Sequence, residues 1–139
     1  MSLFSCSGTR PANLGIKDGR LADCPSSPNC VSSDTADSAH SILAFDLIVA
    51  PTDGWRALRA LLKELPRVQI ITADEDYIHA ECSSAVFGFV DDLELHLRSA
   101  QNSIAVRSAS RLGHSDFGVN RKRVENLRGL LIDRRVVQK

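Results

Sequence analysis

Aromatic residues are scarce in this chain: one tryptophan, one tyrosine and five phenylalanines among 139 residues. None is interleaved with the bases of the carboxyl-terminal stretch "NRKRVENLR…IDRR", and no recognised nucleic-acid motif accompanies them, so the stacking surfaces that usually join phosphate contacts are missing. No nucleic acid is expected as a partner. Long apolar runs are missing as well. Stretches such as "LIVA" fall far below the roughly 18 residues of a membrane span. There is no net charge, with 17 basic residues against 17 acidic ones, and no CxxC pair. A thioredoxin-type redox centre is therefore not expected.

One further absence is local. No Lys or Arg occurs between Arg67 and Arg98, where seven acids sit. Residues 1–97 carry a net charge of −7 and residues 98–139 a net of +7. Either the acidic strands and the basic end meet and neutralise each other, or the basic end forms a patch that steers an anionic partner. The remaining composition, 43% hydrophobic and 24% charged, is that of an ordinary globular protein, and the length suits one core.

Residues 7–40 are rich in Gly, Pro, Ser, Asn and Asp and follow neither a strand nor a helix period, which predicts an irregular segment over 1–40 ahead of a single α+β domain over 41–139. At its start, Leu3-Phe4-Ser5-Cys6 looks like the Leu-x-small-Cys site of bacterial lipoproteins, without the charged start and apolar run of a signal peptide. Cys6 is the candidate lipidation site. Cys24 and Cys30 flank Pro25 and Pro28. Structural zinc wants four ligands, and this loop offers two. A disulfide fits best, because the prolines favour a turn that brings the two Cβ atoms within bridging range; free thiols or a metal clip are the alternatives. Disulfides persist outside the reducing cytosol, so the expected location is extracytoplasmic, in the periplasm or cell envelope.

"SILAFDLIVA" (41–50) reads as a strand ended by Pro51, with Thr52 or Asp53 capping a helix whose Trp55, Leu58, Leu61, Leu62 and Leu65 share one face. Pro66 stops it. Strands follow over 67–73, 77–84, the stretch after Gly88, and 102–110. In the third, Leu93, Leu95 and Leu97 alternate with Asp92, Glu94, His96 and Arg98, the pattern of a half-buried strand. A last helix, capped by Ser115 or Asp116, carries an inward stripe of Val119 or Asn120, Val124, Leu127 and Leu131. The expected architecture is α+β: an antiparallel sheet of about five strands with two helices on one face, in the order β-α-β-β-β-β-α.

Polar chemistry is densest in "VRSASRLGHSDFGVNRKRVENLR" (106–128). Strand alternation puts Arg107 and Ala109 on one face and Val106, Ser108 and Ser110 on the other. Guanidinium forks and a helix amino terminus both favour anions, so Arg107, Ser108, Ser110, Arg111, Ser115, Asp116, Asn120 and Arg121 are the candidate ligand-binding residues. The competing reading is structural: Arg107 or Arg111 clamps Asp91, Asp92 or Glu94, Asp116 caps the helix and Asn120 ties down the loop. Adjacent His114-Ser115-Asp116 cannot easily act in series as base, nucleophile and orienter, and no catalytic residue is assigned. His79, Glu81, Glu94 and His96 form a candidate metal set if their strands are neighbours. Cys82 reads as a buried small hydrophobe. No cofactor is expected.

"CPSSPNCVSS" and "RSASRLGHSDFGVNRKRVENLR", with "FVDDLELHL" between them, resemble the family of bacterial and plastid proteins known as domain of unknown function 1499, over most of residues 15–132. The resemblance implies a small extracytoplasmic or lipoprotein-like protein and carries no catalytic assignment. Together these readings point to an envelope-associated, non-enzymatic protein that binds an anionic small molecule, a lipid or membrane surface, or a protein partner. The alternative is a metal-assisted hydrolase using the His/Glu sheet face.

Overall fold

The computed structural model of the chain describes residues 8–84 and 88–139. Cys6 lies outside the described residues. Strands β1 (Cys30–Ser32), β2 (Phe45–Asp46), β3 (Val68–Ala73), β4 (Tyr77–Ser83), β5 (Val90–Arg98) and β6 (Ser103–Ser110) form one antiparallel sheet, with helices α1 (Pro51–Glu64) and α2 (Val119–Asp133). The spatial order is β1-β6-β5-β4-β3, and β2 pairs with β6 beside β1. The α+β class and the two-helix order agree with the sequence reading, with one strand more.

That extra strand arises inside the segment expected to be irregular. Three residues are too few to show a period, yet Val31 pairs with Ser108 and enters the core while Cys30 and Ser32 pair with Ala109 and Arg107 on the opposite face. The strand expected over 41–50 contracts to Phe45–Asp46. Its remainder is divided: Ser41 bridges Ser32 and Ile42 N–H donates to Ser32 O at 3.2 Å, whereas Ile48 N–H donates to Val136 O at 2.9 Å and Leu47 bridges Val137 of the carboxyl-terminal tail. Pro51 opens α1 instead of standing before it, and neither Thr52 nor Asp53 caps the helix; proline suits the first helical position because its missing N–H would have had no partner there.

One sheet face makes the core. The register aligns Ile78 with Leu95 and Val106, and Ala80 with Leu93, so these side chains share a face. Trp55, Leu58, Leu61 and Leu62 of α1 and Val124, Leu127 and Leu131 of α2 pack onto it. Trp55 is a core anchor, buried and donating from Nε1 to Asp74 O at 3.0 Å. Phe45 is fully buried, and the Arg128 guanidinium sits 4.8 Å above its ring. Cys82 is a buried free thiol whose pKa desolvation pushes up to about 11. It is inert packing rather than a nucleophile.

Residues 8–25 run across the other face as a flap. Arg10 reaches Glu81 at 2.7 Å, Gly15 N–H reaches Glu94 at 2.8 Å, and a disulfide joins Cys24 to Cys30 of β1 with their Cα atoms 5.6 Å apart. The cross-link closes a loop of a few residues, which the chain-entropy model values at about 2 kcal/mol. Cys24→Ala/Cys30→Ala should lower the unfolding free energy in urea by about that amount, and proteolysis should then cut first within residues 8–25. Equal urea midpoints for the bridged and variant proteins would show that the flap needs no tether.

Candidate functional site

The flap-side face of the sheet is built from charged residues in register. One row runs His79, Glu94, Arg107, Ser32 across β4, β5, β6 and β1; the next runs Glu81, Asp92, Ala109, Cys30. Sequence alternation in β5 predicts a solvated polar face here, but Asp92 is 1% exposed, Glu94 0% and Arg107 3%. The flap excludes the water. A period of two looks the same whether solvent or another segment covers the polar side, so the sequence pattern could not distinguish them.

Buried charges demand partners, and two sets supply them. Arg111 donates through Nε and Nη2 to both Asp92 oxygens at 2.8 Å, and through Nη2 to Glu81 at 2.6 Å. His79 Nε2 lies 2.7 Å from the same Asp92. Burial pulls the pKa of Asp92 upward, but the hydrogen bonds from Arg111 and His79 outweigh it and leave the carboxylate below its usual range. Glu81 follows the same course, its burial outweighed by Arg111 and Arg10. In the second set, Arg107 Nη1 is 3.5 Å from Glu94 Oε1, and Nη2 donates to Asp23 O at 3.2 Å. Glu94 Oε2 accepts from Tyr77 Oη at 2.6 Å. Desolvation, then Glu94 itself, drives the Tyr77 pKa upward, so Tyr77 is a fixed donor. Two buried atoms in this set are left without a hydrogen bond: Arg107 Nε and Glu94 Oε1.

Arg107 lines a cavity of about 320 Å³ between flap and sheet, walled by Pro11, Asn13 and Cys24 on one side and Asp92, Ala109 and Arg111 on the other. That volume is at the small end of ligand pockets.

The eight candidate ligand-binding residues do not converge on this cavity. Arg107, Ser110 and Arg111 line it. Ser108 faces the helices and donates to Asn120 Oδ1 at 2.7 Å. Asn120, fully buried, donates to Ser110 Oγ at 2.9 Å, Asp116 at 2.8 Å and Asn29 O at 3.2 Å. Asp116 also accepts from the N–H groups of Gly118 and Asn120, so it satisfies the first turn of α2 although Gly118 is the formal cap. Burial raises the Asp116 pKa and these hydrogen bonds bring it down further, for a net lowering. Arg121 donates to Ser41 O and Ala39 O at the β1–β2 connection. Ser115 is exposed and accepts from Phe117 N–H at 3.3 Å. Among the described residues no hydrogen bond links His114 to Ser115 or Asp116.

Arg123 escapes the sequence reading. Its guanidinium reaches Asp91 at 2.8 Å, Asn120 Oδ1 at 2.8 Å and Ser108 Oγ at 3.1 Å. The available signal was Asp91, an acid in phase with Leu93, Leu95 and Leu97 on the core face, which requires a buried base.

The four candidate metal ligands separate. Glu94 turns to Tyr77 and Gly15, and His96 accepts from Arg98 Nε at 3.2 Å. His79, Glu81 and Asp92 do gather, with ligand atoms within 4.8 Å of one another, but Arg111 already bonds both carboxylates and provides the positive charge there. Removing it should expose the alternative. Arg111→Met should destabilise the protein by about 3–5 kcal/mol, the usual cost of orphaning buried charges, and zinc should then raise its melting temperature while leaving the parent unmoved. The pH profile offers a second check. Depressed carboxylates contribute stability that is complete above their unfolded pKa, near 3.8 for Asp92 and 4.5 for Glu81, and lost as the pH falls through the folded values. Parent stability should therefore decline below about pH 4.5, with a shallower acid limb in Arg111→Met.

A family model described as "Protein of unknown function (DUF1499)" matches residues 20–131. No curated protein and no solved structure matches the chain. The match takes in β1 with its disulfide, both charged rows of the sheet and nearly all of α2, so this chain belongs to the DUF1499 family.

Proposed function

We propose that this chain is an extracytoplasmic, non-enzymatic binding domain whose cavity under the flap receives a small ligand through an oxygen acceptor placed on Arg107. The observation that carries the reading is Arg107, 3% exposed and lining a cavity, with its buried Nε–H unpartnered. A buried N–H without an acceptor costs about 1–3 kcal/mol, and a ligand oxygen recovers it if the Arg107 side chain turns that N–H, closed to water in this structure, toward the cavity. The anion expected from the arginine forks is narrowed by the pairing. Asp92 occupies the fork of Arg111, Asp23 O accepts from Arg107 Nη2, and Glu94 stands 3.5 Å from Arg107 Nη1 as an ion pair without a hydrogen bond. The Arg107 Nε–H and Glu94 Oε1 both stay without a hydrogen bond, and the carboxylate of Glu94 beside the guanidinium favours a single carboxylate or carbonyl oxygen over a multiply charged phosphate. The Cys24–Cys30 disulfide supports the oxidising location. A metal-assisted hydrolase would require Arg111 to leave the His79–Glu81–Asp92 group.

Acetate and acetamide are suitable probes, one charged and one neutral. In nitrogen–proton correlation spectra, titration with either should move the Arg107 Nε–H resonance together with the amides of Cys24 and Ala109. Arg107→Lys should lose this response while keeping a charge opposite Glu94. If neither probe moves Arg107 before it moves exposed arginines such as Arg56 and Arg59, the binding reading fails. A shift with acetate alone would identify an anionic ligand, and a shift with both a carbonyl or carboxyl oxygen in general.

A further inference from the structure

The helix-covered face of the sheet holds a recess on the side opposite Arg107. α1 packs against β3 and β5, and α2 against β6 and β1, so a gap opens between the two helices. Arg134 and Glu64 tie their ends together at 2.8 Å. The gap is floored by Cys82 and Leu93 and walled by Leu62, Leu65, Val68 and Leu127, with a volume of about 210 Å³. Leu62, Cys82, Leu93 and Leu127 are each at most 4% exposed, so its interior is dry and apolar. A cavity of about 150 Å³ lined in this way already admits benzene, whereas drug-sized ligands fill about 300 Å³ or more. The space suits a short hydrocarbon chain.

The rim has a different character. No acid lines the recess. Arg123 forms part of its wall, but its guanidinium is committed to Asp91, Asn120 and Ser108 and adds no open charge. Arg67, Pro66 and Asn126 are the exposed lining residues. Among the described residues no ion pair or side-chain hydrogen bond engages the Arg67 guanidinium, and Glu64, the acid nearest to it in sequence, is held by Arg134. Arg67 also has φ +58°, a left-handed conformation that glycine and asparagine adopt more readily than arginine. An apolar interior under one unpaired cation is complementary to a small amphiphile with a single anionic end.

We propose that the recess between α1 and α2 binds a short-chain monocarboxylate of about six carbons, its chain lying over Cys82 and Leu93 and its carboxylate at Arg67. One guanidinium matches one carboxylate, whereas a doubly charged phosphate would keep a charge without a partner. The inference does not depend on the cavity at Arg107. The two spaces share no lining residue, and the sheet stands between them: Leu93 faces the helices and its neighbour Asp92 faces the flap.

Titration with butanoate, pentanoate and hexanoate tests this, read from the methyl resonances of Leu65, Val68, Leu93 and Leu127 in carbon–proton correlation spectra. These methyls should shift together and saturate, with affinity rising about fourfold per methylene, the gain from burying one. Hexanol, which has the chain without the charge, should bind about threefold to fivefold more weakly than hexanoate, the scale of one ion pair at a rim. Arg67→Asn should bind hexanoate no better than the parent binds hexanol. Its melting temperature should hold or rise, because asparagine tolerates the left-handed backbone. Any of four results would overturn the inference: shifts at these methyls no earlier than at the exposed Leu43, affinity that does not rise with chain length, hexanol binding as tightly as hexanoate, or equal hexanoate binding by the parent and Arg67→Asn.

Discussion

Everything about this fold turns on burying charge on the sheet face that the helices do not cover. Taking an ion out of water costs several kcal/mol even after relaxation, and the cost is recovered only by near-complete pairing. Asp92, Glu94 and Arg107 are all 3% exposed or less, and the pairing is written into the register: Glu94 stands opposite Arg107, and Asp92 lies beside Glu81, where Arg111 bonds both. A slip of one residue in β5 would drive Asp92 and Glu94 into the leucine core and turn Leu93 and Leu95 outward. The apolar face and the charged face therefore specify the same alignment, each penalising the errors the other would penalise.

The flap follows from that constraint. Ion pairs weaken when water and salt reach them, so the second face needs a lid, yet residues 8–25 bring little apolar surface with which to hold themselves down. Leu21 is the only flap residue in the buried apolar set. The segment is held by polar ties: Arg10 to Glu81, Gly15 to Glu94, and Asp34 to Leu21 N–H and Arg98. Burial pushes the Asp34 pKa up and Arg98 with Leu21 brings it lower still, so the acid stays charged. The disulfide adds the one tie that does not depend on charge. His40, in the stretch between flap and β2, contributes a further clamp: its ring joins Ser27 O and Asp37, which raises its pKa in that order of cause. A raised histidine pKa contributes fully below the unfolded value and is lost as pH climbs past the folded one, so this clamp is strongest in mildly acidic surroundings.

Much of this was legible in the residues. The leucine alternation of β5 marks its core face, the 3.6-residue spacing of α1 marks Trp55, Leu58 and Leu62, and the acid-rich block without bases implies partners from the basic end, which Arg107, Arg111 and Arg123 supply. Alternation in β6 also separated Arg107 from Ser108 and Ser110. Three things were not legible. β1 has three residues and no measurable period. The covering of the charged face depends on where an irregular segment lies, and composition does not encode a path. Arg123 lies at the edge of the inward stripe of α2, three residues after Asn120 and four before Leu127, and its role is set by Asp91 on a strand some thirty residues away.

What remains is a division within one short stretch of chain. Between residues 107 and 123, most polar groups are satisfied with unusual completeness: Asn120 alone joins Ser110, Asp116 and Asn29. Against that background two departures are conspicuous, an unpartnered Arg107 Nε inside and a strained, solvent-facing Phe117 outside. In a sequence whose local and global preferences otherwise agree, departures of this kind mark places where something other than stability sets the residue. The two sit on opposite sides of the loop that Asn120 pins, one turned to the cavity and one to solvent. Asn120 and Asp116 tie that loop to β6 and to the first turn of α2, so the charged rows on the flap side and the apolar side chains outside the loop are separated by a satisfied polar cluster.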